Sequence, residues 1–342
     1  SNSAVRWRSE APGTRSQPKP VASESGFTFF AHDARLGWDL VPGASDRHRT
    51  AEFDVEIRID ADGLRSPRPA DATVPSAASP GSEPAARRRR LAALGDSFTF
   101  GHGVEAREAW PARLEALLDG VEASNVAVTG YGTDQQMLRF EGRADALRPD
   151  AVVLGLFAGN VFRNARFEQL GYAKPRFVLR GGRLELRGVP VPEEPPSPPP
   201  SRLWGLLSKT AGGVLGHLGY GEAWAVTGGI LDRLAAACEA RGATFHVVIL
   251  PKDQMIYGQG PRRKLHERMH GRLHRLLDER GLDYLDLTDA LRSGAVGGAA
   301  AGDRLYYPAD GHWTPAGHRV AAAAIAEWLR PQLAPVAGER AP

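Results

Sequence analysis

The sequence has very little sulfur. Cys238 is the one cysteine among 342 residues, and there are three methionines. A single cysteine cannot form a disulfide within the chain, and zinc sites of the cysteine type need several thiolates. The composition therefore excludes a disulfide-stapled scaffold and a cysteine-rich zinc module.

Long apolar runs and an excess of one charge are also missing. A helix that spans a bilayer needs about 20 apolar residues, and the longest apolar run, Ala151–Gly159, has the length of a buried strand. Lys and Arg number 43 against 40 Asp and Glu, so the formal net charge is +3. This small excess is spread along the chain, which argues against a nucleic-acid partner. Hydrophobic residues at 42% and charged residues at 24% are typical of a folded globular protein.

The composition changes along the chain and suggests its organisation. One stretch alternates apolar with charged residues, which is the period-2 pattern of a half-buried strand, at Phe53, Val55, Ile57 and Ile59. Segments rich in Pro, Ala and Ser flank it and are typical of flexible or linking chain. We therefore expect a flexible leader (1–26), a β-rich N-terminal extension with a linker (27–86), a main domain (87–332) with an insertion (166–220), and a flexible tail (333–342).

In the main domain, short apolar segments alternate with helical patterns. The predicted strands are Leu91–Leu94, Asn125–Val128, Ala151–Phe157, Thr244–Leu250 and Tyr284–Leu287. Thr314-Pro315 predicts an N-cap and a first helical residue, opening a last helix that ends at Leu329. This alternation predicts an α/β fold with a mostly parallel sheet of about five strands and helices on both faces. Ligands of such folds bind at the carboxyl ends of the strands.

The insertion interrupts this repeat. It contains a predicted hairpin around residues 177–186 and a dense proline run at 190–200. A long insertion beside the strand ends is either a lid or substrate-binding element, or a plain surface loop.

The first candidate for chemistry is Gly95-Asp96-Ser97, at the end of the first predicted parallel strand. A serine at a strand-to-helix turn is exposed at the ligand edge, and its N–H lies near a helix N-terminus, where developing negative charge is favoured. Taken alone, the motif is weak evidence, and a capping serine in a glycine-rich turn is the favoured interpretation.

A second motif, Asp310-Gly311-His312, stands in a loop before the last helix. A serine nucleophile needs a general base, and the base needs an acid that holds its tautomer. Asp310 and His312 supply both, because a two-residue spacing in an extended loop lets the carboxylate fold back onto the ring.

Two further residues follow predicted strands. Gly130 offers a backbone N–H that no side chain obstructs, and Asn160 offers a side-chain amide. Together with the N–H of Ser97 they make three donors for an oxyanion, each typically worth about 3 kcal/mol of barrier.

With these four blocks in this order, the sequence resembles the SGNH (GDSL) hydrolase superfamily over residues 91–329. The resemblance implies a three-layer α/β/α fold of flavodoxin-like type. It also implies that Ser97 is the nucleophile, His312 the base and Asp310 its partner, with an oxyanion hole of Ser97, Gly130 and Asn160. No metal or other cofactor is implied.

The sequence departs from the common family pattern in two blocks. Val161 follows Asn160, where the third block usually has Asp. Asp310 lies two residues before His312 rather than three, and Ala309 occupies the usual position of the acid. The resulting Asp-x-His-Trp form, which ends at Trp313, is similar to the motif of bacterial exopolysaccharide O-acetyltransferases.

The expected activity is that of a serine esterase that acts through an acyl-Ser97 intermediate. The expected substrate is an acyl ester of a carbohydrate or another small molecule, and acetyl is the first candidate for the acyl group. An O-acetyltransferase is the alternative, and a non-catalytic glycan-binding module is a second alternative that the intact motif residues disfavour. Residues expected near the substrate pocket are Asp96, His102, Tyr131 and Trp313. For His102 loop packing is the competing interpretation, and for Trp313 it is filling the base of the site.

The β-rich extension resembles that of a broad bacterial group of SGNH proteins, many of which carry a membrane anchor. The sequence opens with Ser1-Asn2-Ser3 and without Met. A signal or anchor upstream of Ser1 is therefore not visible in this sequence. The resemblance implies a location at the bacterial cell envelope, membrane-anchored or exported, with the cytoplasm as the alternative.

Overall fold

The structure, a computed structural model, describes residues 28–66, 88–193, 202–297 and 303–333, with only the backbone described for 202–220 and Gly297. The predicted leader, most of the linker and nearly all of the predicted tail lie outside these ranges. Among the described helices, none combines the length and apolarity needed to cross a bilayer.

Thirteen strands and nine α-helices form in the described ranges. The strands are β1 (Phe30–Asp33), β2 (Gly37–Leu40), β3 (Ser45–Arg49), β4 (Asp54–Arg58), β5 (Arg89–Leu94), β6 (Val121–Asn125), β7 (Ala151–Phe157), β8 (Glu168–Gln169), β9 (Tyr172–Ala173), β10 (Arg176–Arg180), β11 (Arg183–Arg187), β12 (Thr244–Leu250) and β13 (Tyr284–Asp286). The helices are α1 (Ser97–Phe100), α2 (Trp110–Leu117), α3 (Thr133–Leu147), α4 (Asn160–Asn164), α5 (Arg202–Glu239), α6 (Asp253–Ile256), α7 (Gly260–Asp278), α8 (Thr288–Gly297) and α9 (Pro315–Leu329).

Five parallel strands form the central sheet, in the order β13-β12-β7-β5-β6. This confirms the predicted α/β class and the predicted strand number. The predicted bounds of β7 and β12 are met at both ends, because strands buried on both faces carry a continuous apolar run. Thr314 caps α9 as predicted, accepting a hydrogen bond from the Gly317 N–H at 3.3 Å.

Helices cover both faces of this sheet, because successive strand residues point to opposite sides. One face packs against α2, α8 and α9 through residues that include Leu91, Ala93, Val153 and Val248. The other packs against α3, α5 and α7 through residues that include Ala92, Leu94, Val152 and Val247. The fold is therefore the predicted three-layer α/β/α sandwich.

The N-terminal extension forms two antiparallel hairpins, β1–β2 and β3–β4. The predicted alternation is confirmed in β4, where the exposed Asp54 and Arg58 flank the buried Val55 and Ile57. Trp38 and Ile57 share one apolar cluster with Phe140 of α3. The extension therefore packs onto the main core, on the face formed by α3.

Strand β5 begins two residues before its predicted start and β13 ends one residue before its predicted end, and two elements differ more from the sequence prediction. The second central strand was predicted at Asn125–Val128, but β6 ends at Asn125. The prediction was wrong because β6 is an edge strand with partly exposed residues, whereas Val126, Ala127 and Val128 are buried in the loop beyond it. The β8–β9 hairpin was not predicted, since two-residue strands carry no periodicity.

Candidate active site

Ser97 begins the short helix α1, directly after β5 at the carboxyl edge of the sheet. Asp96 caps this helix by accepting a hydrogen bond from the Phe98 N–H at 3.1 Å. The turn needs glycine at position 95, because a Cβ there would lie 2.0 Å from Oγ1 of Thr99. The backbone therefore turns sharply after β5 and places Ser97 at the carboxyl ends of the strands.

The structure brings Ser97, His312 and Asp310 into one chain of contacts. Nε2 of His312 lies 2.7 Å from Oγ of Ser97, although the two residues are 215 positions apart. Nδ1 of His312 lies 2.6 Å from Oδ1 of Asp310, which also accepts the His312 backbone N–H at 3.1 Å. Gly311, at a φ of +79°, lets the loop fold back so that the carboxylate reaches the ring.

Burial and hydrogen bonding have opposite effects on the pKa values of His312 and Asp310. Burial lowers the pKa of His312 and outweighs the carboxylate of Asp310, which raises it. Burial would raise the pKa of Asp310, but hydrogen bonds from His102 and His312 hold it well below its usual range. At neutral pH the imidazole is therefore neutral and the carboxylate ionised, as a general base and its partner require.

A second histidine contacts the same carboxylate. Nε2 of His102 lies 3.3 Å from Oδ2 of Asp310, and its ring centre lies 4.5 Å from that of His312. The rings of His48 and Phe53, from β3 and its turn, pack on the other side of His102. His102 thus lines the pocket and also packs against the N-terminal extension, and no sequence pattern predicted its contact with Asp310.

Glu52, in the β3–β4 turn, holds the backbone of the catalytic loop. Its carboxylate oxygens accept hydrogen bonds from the N–H groups of Ala309 at 3.0 Å and Asp310 at 2.8 Å. The N-terminal extension therefore reaches the site. Sequence reasoning missed this residue, because no local pattern marks a contact between segments so far apart.

A pocket of about 310 Å³ opens beside the hydroxyl of Ser97. Of the predicted residues it contains Ser97, His102, Gly130, Asp310 and His312. The pocket is completed by Phe98, Thr129, Phe157, Arg163, Gln169, Leu170 and Lys252.

Gly130 lies after β6 in a conformation that only glycine tolerates well. Its φ is +84°, and a Cβ there would lie 2.4 Å from Cδ1 of Leu170. Within the part of the chain that the structure describes, neither the N–H of Gly130 nor that of Ser97 donates to another protein group. Both donors remain available to a bound oxyanion.

Asn160 is placed differently from the expectation. It is fully buried and lies outside the pocket lining. Its Nδ2 donates to the carbonyl of Tyr131 at 2.9 Å and to Asp96 at 3.4 Å, while its Oδ1 accepts the Phe157 N–H at 3.0 Å. In this arrangement the amide group faces protein partners, and the role of Asn160 as a third oxyanion donor stays a prediction.

Three other predicted pocket residues are core residues. Asp96, Tyr131 and Trp313 are all fully buried and do not line the pocket. Asp96 pairs with Arg163 at 2.7 Å, and the hydroxyl of Tyr131 donates to the carbonyl of Trp38. Trp313 packs edge-on against Phe98 beneath the site. For Trp313 the alternative of filling the base of the site is the one observed.

The insertion contributes to the pocket through the turn of the β8–β9 hairpin. Leu170 and Gly171 have φ values of +55° and +78°, and Leu170 lines the pocket beside Gly130. The fully buried Lys174 anchors this segment, since its ammonium contacts Asp134 and the carbonyls of Arg163, Arg166 and Pro175. Of the two interpretations of the insertion, this placement favours the substrate-binding element.

Arg163 and Lys252 are pocket cations that sequence reasoning missed. Arg163 donates from Nη1 to Asp96 at 2.7 Å and to the Tyr131 carbonyl at 3.1 Å. Lys252 stands two residues after β12, at the same carboxyl edge as Ser97. The sequence Leu250-Pro251-Lys252 places a cation just after a buried strand, and this pattern could have identified Lys252 as a pocket residue.

Comparison with known proteins places this site in a family context. Residues 93–320, more than half of the chain, match the sequence model of the GDSL-like Lipase/Acylhydrolase family. No curated protein matches the chain in sequence.

Three solved structures illustrate what this chain is similar to. A catalytic mutant of Axe2, an acetylxylan esterase from Geobacillus stearothermophilus, is 15% identical, with 70% of this chain and 93% of that chain covered and a TM-score of 0.42. A lipase/acylhydrolase from Enterococcus faecalis is 15% identical, with 72% and 98% covered and a TM-score of 0.42. A member of the lipolytic protein G-D-S-L family from Veillonella parvula is 13% identical, with 70% and 97% covered and a TM-score of 0.39.

Proposed function

Because the chain belongs to the GDSL-like lipase/acylhydrolase family, we propose that it is a serine esterase that acts through an acyl-Ser97 intermediate. The observation that carries this proposal is the line of contacts from Ser97 through His312 to Asp310, at 2.7 and 2.6 Å. Nucleophile, base and orienting acid at hydrogen-bond distance are the arrangement that acyl transfer to a serine needs.

In the proposed reaction, Oγ of Ser97 attacks the ester carbonyl as its proton passes to Nε2 of His312. Negative charge develops on the carbonyl oxygen and is stabilised by the free N–H groups of Ser97 and Gly130. The C–O bond to the alcohol then breaks, and the leaving oxygen takes the proton from His312. Water, activated by the same imidazole, attacks the acyl-enzyme and releases the carboxylic acid and the free serine.

We propose that the acyl group is short, with acetyl as the first candidate. Leu170 supports this, because its side chain packs against Gly130, where the carbonyl oxygen would bind. The space on that side of Ser97 is therefore narrow. The alcohol side is more polar, with Gln169, Arg163 and Lys252 in the pocket lining, which suits a hydroxyl-rich alcohol such as a carbohydrate.

Transfer of the acyl group to a sugar hydroxyl is the second candidate function. The two-residue spacing of Asp310 and His312 favours it, because this spacing is similar to that of exopolysaccharide O-acetyltransferases. The loop accommodates the spacing with a distance of 2.6 Å between Nδ1 of His312 and Oδ1 of Asp310. A sugar hydroxyl would then replace water in the second half of the reaction.

Hydrolysis of 4-nitrophenyl acetate tests the esterase proposal. We expect turnover, and we expect kcat/KM to fall on the acid side with a midpoint below 6.5, because burial lowers the pKa of His312 and the base is lost only when its ring is protonated. A fluorophosphonate probe should add to Ser97, as located by peptide mass spectrometry.

The same assay separates the two candidate functions. Free acetate and acetylated sugar are measured with and without a glycan acceptor, and transfer without appreciable free acetate would replace the esterase by the transferase. No turnover and no labelling of Ser97 would contradict both, leaving a non-catalytic glycan-binding module.

Replacing Leu170 by glycine should widen the acyl preference. Glycine suits the positive φ at this turn, so the hairpin is retained while the side chain beside Gly130 is removed. We expect the kcat/KM ratio of 4-nitrophenyl hexanoate to 4-nitrophenyl acetate to rise about tenfold, since a few buried methylenes are worth 1 to 2 kcal/mol. Leu170→Met, which keeps the side-chain volume, is the matched control. An unchanged ratio in Leu170→Gly would show that Leu170 does not limit the acyl group.

A further inference from the structure

Lys252 occupies a fixed and partly apolar position in the pocket. Its Nζ lies 6.0 Å from the ring centres of both Phe98 and Phe157. The backbone on either side is held, because the Pro251 carbonyl accepts the hydroxyl of Tyr306 and the Lys252 carbonyl accepts the Met255 N–H, each at 2.8 Å. Lys252 is therefore a half-buried residue whose backbone is held at the edge of the pocket that also contains Ser97.

The other charged groups of the pocket already have partners. Arg163 is paired with Asp96, and the carboxylate of Asp310 is taken by His312 and His102. In the described ranges, no carboxylate lies within 4.0 Å of Nζ of Lys252.

The nearest acid along the chain, Asp253, forms no ion pair with this lysine. Its Oδ2 accepts a hydrogen bond from the Gln254 amide at 3.0 Å, and its buried Oδ1, which has no hydrogen-bond partner among the described residues, borders Gly311 as Nζ does. The ammonium of a half-buried lysine near two aromatic rings is less hydrated than that of an exposed lysine. A substrate anion would therefore bind it with a more favourable electrostatic energy.

The position of Lys252 indicates which part of the substrate it faces. A Cβ on Gly311 would lie 3.4 Å from Nζ, so the ammonium borders the loop that carries His312. In the proposed reaction His312 delivers its proton to the leaving oxygen, and the alcohol therefore departs on this side. In the same reaction the carbonyl oxygen binds toward Gly130, which follows β6 and lies on the far side of β5 from Lys252.

We propose that Lys252 binds an anionic group, a carboxylate or a phosphate, on the alcohol part of the ester. This inference rests on the proposed esterase function and narrows it to acyl esters of acidic alcohols. Lys252 would then determine specificity, while the bond-breaking chemistry stays with Ser97 and His312.

Two acetate esters that differ in charge test this proposal: 4-acetoxybenzoate, which is anionic, and 4-acetoxybenzamide, which is neutral and similar in shape. We expect wild-type protein to favour the anionic ester in kcat/KM, mainly through a lower KM. Lys252→Met should lower this preference about tenfold, the effect of losing one charge-assisted contact, and Lys252→Arg should retain most of it. Lys264→Met is the matched control, since Lys264 is exposed on α7, away from the pocket, and its loss should leave the preference unchanged.

The outcomes separate this proposal from the one on which it rests. If wild-type protein hydrolyses both esters with equal kcat/KM, and Lys252→Met keeps that ratio, the role of Lys252 is wrong while the esterase function stands. If neither ester is hydrolysed and the fluorophosphonate does not label Ser97, the esterase function is wrong and this proposal falls with it. A third ester, 4-acetoxyphenyl phosphate, ranks phosphate against carboxylate as the preferred anion.

Discussion

We expect Ser97→Ala to lower kcat for 4-nitrophenyl acetate by roughly 10⁴-fold or more, because the variant lacks the proposed nucleophile. Without Oγ, His312 has no proton to remove and no covalent intermediate forms. What activity remains would come from water attacking an ester held by the N–H groups at positions 97 and 130. Initial rates against the uncatalysed reaction measure the loss.

The controls for this variant are a fold check and a serine elsewhere. Ser97 is small and 4% exposed, so circular dichroism and the thermal midpoint should be close to those of the wild type. Ser293→Ala, on the exposed face of α8, should keep full activity. A Ser97→Ala variant that retained wild-type turnover would refute the nucleophile assignment.

Asp310→Asn should lower kcat/KM by about 10²- to 10⁴-fold. The carboxylate stabilises the imidazolium that forms on His312, and an amide supplies no such charge. The amide also places an NH₂ donor toward one of two histidines, His102 or His312, and that histidine keeps the contact only in the tautomer whose facing nitrogen accepts. Because Asp310 raises the pKa of His312, its removal should also move the acid limb of the pH profile to lower pH.

Glu52→Gln is the matched control for this change. It converts a carboxylate to an amide on a side chain whose contacts in the loop are the backbone N–H groups of Ala309 and Asp310. We expect a loss of less than about tenfold and no shift of the acid limb, since the amide oxygen keeps one of the two backbone hydrogen bonds and its NH₂ group cannot accept the other. Equal losses in Asp310→Asn and Glu52→Gln would mean that both residues act only by holding the loop.

The sequence was sufficient for the features that short-range patterns encode. The strand β7 and the last helix followed from apolar runs and a capping pair, and Ser97, Asp310 and His312 followed from residue types that acyl chemistry needs in order. Their convergence was predictable because parallel strands bring their carboxyl ends to one edge of the sheet.

The remaining features depend on contacts between segments far apart in sequence, and local sequence patterns could not predict them. Asn160 has the expected position, but its amide turns to the Tyr131 carbonyl and Asp96, both of which Arg163 also contacts. Glu52 meets the catalytic loop across more than 250 positions, which no local period records. Leu170 adopts a positive φ that its residue type disfavours, so propensity argues against the observed turn.

The long separation of Ser97 from its base has a consequence for how the protein is made. During synthesis the nucleophile leaves the ribosome some 215 residues ahead of His312, and Glu52 precedes the loop it holds by a still longer interval. A nascent chain therefore carries Ser97 before it carries His312, and under the proposed mechanism a chain that stops before Asp310 would be inactive. We therefore expect ester hydrolysis to return during refolding only after the loop of Asp310 and His312 has reached Ser97.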